Sequence, residues 1–543
     1  MFSENQSHAD DRLIRRYIDE AFQPEEFEAF QQRLTHDADF RRRYVELIEL
    51  ETRLHEAFEV IQSPLIKSRQ HAHFVAGRWR WGVLIGLSLC LGFTLLFYEL
   101  DIDKAPENSE TLNQDATRSS YVTYQNPLKT DCAVIVSGDG IDSPDLSVGN
   151  RLQSGLMTLT SGRIQLEFFC GAKVALLGPC QIELQSDRSA KLLKGCVTAY
   201  LPERAAGFVI NSPQATVLDL GTEFNMAVSE DGHSDIAVVN GLVDLSAIGE
   251  DGNTIRTRRL HQEQIVRVDN KRQMSEQTSI TTTAFPEIDP PSIPTLKVGD
   301  DYVAAVINSL PDVYWRFKTS AGPSVKNEMS DRYHGRVVFS EHEQSVLTVS
   351  NYVRFSKSVL PRYIICDDAI KNLNLGSFSV EMWICPDDLA HSTCFSTIPT
   401  TSEDGRRMMN LIDVATNTWM IHDPGSFRFL HRYPPHLEHP EGYNVFTRGV
   451  CAPSQWQHIV AVRSEDRIEI YHNGRKYGSV EIGDQSGEGD FRILLGQLNL
   501  IWTHRQFNGA MDEFAFYTRS LSAEEIANHY RLISEPSLTL NSR

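Results

Sequence analysis

Four histidines and one glutamate crowd a single short stretch of this sequence: His422, His431, His436, Glu438 and His439 in HDPGSFRFLHRYPPHLEHP, residues 422–440. Imidazole nitrogens and carboxylate oxygens are the ligands a borderline metal prefers, and histidine is also the side chain that titrates near neutrality. His431, His436, Glu438 and His439 are therefore the metal-ligand candidates. The surrounding prolines make the stretch read as a loop inserted between strands. No helix fixes the ligand spacing there, and surface histidines explain it equally. Phe427, Phe429 and Tyr433 in the same loop could stack on sugar faces. A second pattern is Glu465 with Glu469. A retaining glycosidase needs two carboxyls about 5 Å apart, and acids four apart on a strand share a face. Arg467 lies between them, which favours a solvent-facing strand. Adjacent Asp512 and Glu513 point to opposite faces of a strand and so cannot share acid and base roles. No Gly-x-Ser-x-Gly nucleophile motif occurs. The expectation is a chain that is not an enzyme, with no catalytic residues and no cofactor.

The elements that would position these residues divide the chain unevenly. At 543 residues, length alone predicts several domains. Lys and Arg number 52 against 72 Asp and Glu, a net charge of −20. Such a field repels phosphate backbones, so nucleic acid is excluded as a partner. From Trp81 to Tyr98 run eighteen residues without a charge or proline, WGVLIGLSLCLGFTLLFY. As a helix this segment is about 27 Å long, close to the hydrocarbon core of a bilayer. A transmembrane helix is expected over 79–100, with interfacial Trp79, Trp81 and Tyr98 at its ends. Lys67, Arg69, Arg78 and Arg80 precede the span and acids follow it, so the N-terminus faces the cytoplasm. The expected location is a bacterial inner membrane, crossed once, with the C-terminal domains periplasmic. Four cysteines fall in each outer domain, at 132, 170, 180 and 196 and at 366, 385, 394 and 451. They could form disulfides or remain buried thiols.

Residues 1–65 carry three amphipathic helical patterns, with Leu13, Ile14, Tyr17 and Ile18 in the first and Phe40, Tyr44, Leu47 and Ile48 in the third. The run LIRRYIDEAFQPEEFEAFQQRLTHDADFRRRYVELIELETRLHE resembles the N-terminal helical segment of bacterial membrane-bound anti-sigma regulators. That resemblance implies a sigma factor as cytoplasmic partner. The segment lacks the cysteines of zinc-binding members, so the interaction would be zinc-independent. Residues 101–128 are polar and read as a linker.

From 129 to 270 the period changes to short Val-, Ile- and Leu-rich runs separated by turn formers, an all-β pattern. The stretch NSPQATVLDLGTEFNMAVSEDGHSDIAVVNGLVDL resembles the FecR domain of sigma regulators, through Asp219, Gly221, Thr222, Glu223, Phe224 and Gly241 among others. These positions read as architectural: Gly221 makes a bend, and Glu223 beside Thr222 is expected to pin it. Residues 271–299 read as a second linker.

Residues 300–535 again give strand-like runs, with Asn473-Gly474 as a hairpin turn and a capped helix starting after Ser522. A double-sheet jelly roll is expected. FSVEMWI, WQHIVAVRSEDRIEIYHNG and FNGAMDEFAFYTRSLSAEEIANHY look like a LamG-type, concanavalin A-like domain. The residues carrying the likeness, Trp383, Trp456, Asn473, Gly474, Gly509, Asp512, Glu513 and Tyr517, read as structural. The resemblance implies a glycan or protein ligand, with calcium possible. Together these readings point to a FecR-like, anti-sigma regulator that couples an outer ligand to a sigma factor. The alternative is a membrane-anchored adhesion protein that binds glycans or proteins; a jelly-roll glycoside hydrolase is the third.

Overall fold

The computed structural model describes residues 131–535, apart from short segments at 142–145, 220, 281–283, 319–323, 339–350, 358–360, 402–406, 417–424, 437–441, 450, 484 and 504. The expected helical segment 1–65, the span over 79–100 and the linker 101–128 lie outside these residues. No helix among the described residues is long and apolar enough to cross a membrane.

Alternation of apolar and polar side chains builds the first domain. In Ala215–Asp219 and Glu223–Val228 every second residue is buried, so Val217, Phe224, Met226 and Val228 point into one core. Fourteen strands join in a single sheet organised around the long hairpin Lys173–Ser186 and Ser189–Tyr200. The second of these strands serves two layers. Its first residues pair in parallel with Val209–Asn211, and its last six pair antiparallel with Glu223–Val228. The change of partner falls near Gly195, at φ +102°, where a Cβ would lie 2.7 Å from the Pro179 carbonyl oxygen. Only glycine fits there without displacing backbone. The two layers close over Phe168, Phe208, Phe224, Ile236 and Leu245, with Phe168 and Phe208 edge to face at 4.8 Å.

The second domain is a jelly roll of two antiparallel sheets, seven-stranded and eight-stranded. Strands buried on both faces, such as Phe378–Pro386 and Gln457–Arg463, explain why their sequences run apolar rather than alternating. Phe378, Phe395, Phe429, Phe514 and Phe516 fill the space between the sheets. The predicted hairpin is present: Arg467–His472 pairs with Arg475–Glu481 across Asn473 and Gly474, at φ +48° and +74°. Helix Ala523–Ser534 begins with a complete capping box between Ser522 and Glu525. Helix Asp300–Asn308 is an addition to the sequence reading. It and the C-terminal helix cover the outer face of the seven-stranded sheet through Tyr302, Val306 and Ile526.

The stretch 271–299, expected as a linker, is tied down at several points among its described residues. Met274–Glu276 forms a last strand of the first sheet. Arg163 pairs with Asp289 at 2.6 Å, the Ser137 hydroxyl donates to the same carboxylate at 2.7 Å, and Trp456 Nε1 donates to the Pro294 carbonyl at 2.6 Å. Those bonds reach both domains, which belong to one compact unit.

Candidate functional site

The histidine stretch does not form the expected loop. His431 sits within strand Ser426–His436 of the eight-stranded sheet. It is fully buried, its Nδ1 is 2.7 Å from Asn410 Oδ1, and burial pushes its pKa down to about 3. Phe427 and Phe429 on the same strand belong to the core, which removes them as stacking platforms. The strand was misread because its prolines, 434 and 435, fall at its end rather than through it. His436 closes that strand, and His422, Glu438 and His439 lie outside the described residues. No cluster of three or more metal-ligating side chains occurs among the described residues.

The carboxyl pairs are also committed elsewhere. Glu465 is exposed in the turn before strand Arg467–His472, while Glu469 accepts from Tyr471 at 2.8 Å and pairs with Lys476 at 3.1 Å. Glu513 is turned by a bulge, at φ +50°, so that Tyr314 and Arg316 bind its carboxylate. Burial pushes the pKa values of both Asp512 and Glu513 up.

One buried polar constellation in the jelly roll was missed by the sequence reading. Glu381, fully buried, lies 2.8 Å from His458 Nε2, 3.0 Å from His529 Nδ1 and accepts from Tyr517 at 2.7 Å. Trp383 Nε1 donates to the Tyr302 hydroxyl at 3.2 Å beside it. The two histidines hold the Glu381 carboxyl well below the usual range against the opposing effect of burial, and Glu381 raises His529. The signal available was a lone glutamate inside the apolar run FSVEMWI, since a buried carboxylate demands partners. The network pins the C-terminal helix to the sheet.

The outer face of the eight-stranded sheet is closed by the chain itself. Leu498 packs on Met408, Leu411 and Leu430, and Leu500 on Ile365, Ile398 and Leu494. Asn499 accepts from the backbone of Ile501 and Trp502 at 3.0 and 2.8 Å, which fixes the turn. Arg505 anchors it by an ion pair to buried Asp413, which also binds Arg428 and Thr393. Arg505 donates to His391 Nε2 at 2.7 Å, so that nitrogen is an acceptor; burial and Arg505 hold the His391 pKa down to about 4.

In the first domain the 219–224 motif forms a tight turn. Asp219 Oδ2 accepts from the Gly221 amide at 2.8 Å, and its Oδ1 accepts from the Thr222 hydroxyl. Asp219 is thus the pin, in place of Glu223, which begins the next strand. Gly241 completes the corner at φ +87°, where a Cβ would sit 2.6 Å from Thr222 Cγ2. Of the LamG-like residues, Trp383 and Tyr517 join the Glu381 network, Asn473 Oδ1 accepts from His458 N at 2.9 Å, and Gly509 takes φ +150° against the Cys385 carbonyl. None of the eight cysteines from 132 to 451 forms a disulfide, and all are buried.

Where the domains meet, Glu167 of the first is fully buried. Its Oε1 accepts from the Leu389 amide of the jelly roll at 2.7 Å and from Arg204 at 2.8 Å. Arg204 also reaches Asp388 at 3.8 Å. Val134 and Phe169 of the first domain enter the jelly-roll core cluster. The interface is therefore apolar at its centre with a buried ion pair beside it.

This second domain is a concanavalin A-like sandwich. Residues 362–527 match the family model described as the Concanavalin A-like lectin/glucanases superfamily. No curated protein matches the chain. Among solved structures, domain 4 of a GH43 extracellular arabinanase from Geobacillus stearothermophilus, in complex with arabinotriose, is similar at 14% identity over 40% of this chain and 98% of that one, with a TM-score of 0.30. The binding domain of Botulinum neurotoxin serotype D is similar at 14% identity over 42% of this chain and 52% of its own, with a TM-score of 0.30. A SAP-like pentraxin from Limulus polyphemus is similar at 14% identity, covering 32% and 79%, with a TM-score of 0.25.

Proposed function

We propose that this chain is a carbohydrate-binding protein without catalytic activity, its two β domains held outside a bacterial inner membrane by the apolar segment over 79–100. The match of residues 362–527 to a superfamily of lectins and glucanases carries this reading. The carboxyl geometry favours binding over hydrolysis: Glu469, Asp512 and Glu513 are engaged or buried by the fold, and none pairs across a cleft. A glycan array probed with the full-length chain tests it. Saturable binding to at least one glycan without turnover is expected; no binding to any glycan overturns it, and released product overturns the non-catalytic part.

A second reading is a FecR-like, anti-sigma regulator in which the outer domains signal to a sigma factor bound by residues 1–65. In support of it, the tied stretch 284–299 couples the jelly roll to the first β domain, so a displacement in one reaches the other. Purification of the full-length chain from its own cells tests this reading, and the absence of any co-purifying sigma factor would sink it.

A further inference from the structure

Between the first domain, the 289–292 strap and the jelly roll lies a cavity of about 310 Å³. That volume is at the lower end for small-molecule sites, about 300 to 1,000 Å³, and exceeds the share of a few ordered waters at roughly 30 Å³ each. Two carboxylates from different domains, Glu167 and Asp387, both more than nine-tenths buried, line it beside Asp289 of the strap, whose oxygens are taken by Arg163 and Ser137. Each uses one oxygen on the protein. Glu167 Oε1 binds Leu389 N and Arg204, and Asp387 Oδ2 binds Arg354. The other two oxygens, Glu167 Oε2 and Asp387 Oδ1, have no hydrogen-bond partner although water does not reach them freely. Buried acceptors in that state are costly and call for donors.

The surroundings say which donors. Arg204, Arg354 and Arg163 pair with the Glu167, Asp387 and Asp289 carboxylates, and the Lys173 ammonium stands 3.9 Å from Glu167 Oε2, so a cation has no net attraction to the space. Among the described residues no ligand set for a metal exists. An anion would meet two open carboxylate oxygens and is repelled. Neutral hydroxyls satisfy the acceptors, and Lys173 can donate back to an ether or hydroxyl oxygen. Val136, Pro290 and Pro291 add carbon surface to the same walls, suited to the C–H face of a ring. We propose that this cavity binds a small neutral polyol, a single sugar ring, and that its occupant joins the two β domains. The site draws on both domains and the strap.

The test is titration of the full-length chain in detergent with glucose, mannose, galactose and rhamnose, followed by saturation-transfer NMR, with glucosamine and glucuronate as charged controls. Saturable binding of at least one neutral sugar is expected. Ser292→Trp, at an exposed position on the cavity wall, should abolish it, and Asp387→Asn should weaken it about tenfold, the loss of one charge-assisted hydrogen bond. No saturable binding by any neutral sugar, tighter binding of a charged control, or binding unchanged in Ser292→Trp overturns the proposal. Should Ser292→Trp fail to fold, amide exchange on the wild-type chain decides: sugar-dependent protection at both Glu167 and Leu389 supports the site, and protection at neither overturns it. Glycan-array binding that survives Ser292→Trp, with no single sugar bound, would defeat this site and leave the lectin reading standing. Single-sugar binding with an empty array would do the reverse.

Discussion

Asp219 holds its corner with both carboxylate oxygens, one on the Gly221 amide and one on the Thr222 hydroxyl, and its side chain is fully buried. Asp219→Ala removes both acceptors and strands the buried Thr222 hydroxyl, so a loss of about 2–3 kcal/mol is expected in a denaturant titration. Asp219→Asn should cost less, because one oxygen remains to accept while the amide nitrogen faces a donor. Gly241→Ala should cost more than about 1 kcal/mol, since the position combines φ +87° with a Cβ contact 2.9 Å from the Gly221 carbonyl oxygen. The bend itself was legible in the sequence, because a glycine between two alternating strands has few other uses. The pin was not. Glu223 is adjacent to Thr222 in sequence, but strand geometry sends it away, whereas an aspartate two residues before a turn glycine is the standard donor-capturing position. That local spacing was the signal passed over.

At the scale of elements, the Glu381 network decides how the helices attach to the sheet. Glu381→Ala leaves His458 and His529 buried without their anion, and a loss of about 3–5 kcal/mol is expected. Glu381→Gln makes a cleaner electrostatic test. Burial lowers the His529 pKa and Glu381 raises it, so removing the charge should drop the His529 titration seen by NMR. An unchanged His529 titration would show that the raise has another source. Ser522→Ala, which deletes only the capping box, should cost about 1 kcal/mol. Strand and hairpin signals in this domain were readable because turn chemistry is local: Asn473-Gly474 and Ser522 announce themselves. Helix Asp300–Asn308 was not, since its buried residues are only Tyr302 and Val306, too few for a period to stand out. His431 failed for a related reason. Neighbouring prolines mark loops on average, yet here Pro434 and Pro435 fall in the bulge between the His431 and His436 pairings with Met408–Thr416.

Across the whole molecule, burial sets two groups of titrating side chains against each other. His391, His431 and His472 are held neutral by burial, with pKa values down to about 4, 3 and 3. In the unfolded chain each takes up a proton near pH 6.5 while the folded chain does not, so stability is lost as pH falls from about 6.5 toward those values. Asp387 runs the other way. Burial pushes its pKa up to about 6, so the folded form holds a proton the unfolded form has released, and stability is lost as pH rises from 3.8 through about 6. The two groups lie on different parts of the fold, His472 in the jelly-roll sheet and Asp387 at the domain interface, so their effects should separate in variants. His472→Gln should cost more at pH 7 than at pH 5, by about 2 kcal/mol, because one and a half pH units of the wild-type histidine's penalty vanish with the ring. Asp387→Asn should show the opposite trend, becoming relatively more favourable as pH rises toward 6. Urea titrations of the wild-type chain and both variants at pH 5, 6 and 7 give the two slopes directly. Parallel curves for His472→Gln and the wild type would mean that water reaches the ring, and that the closed sandwich opens at that edge far more readily than its packing implies.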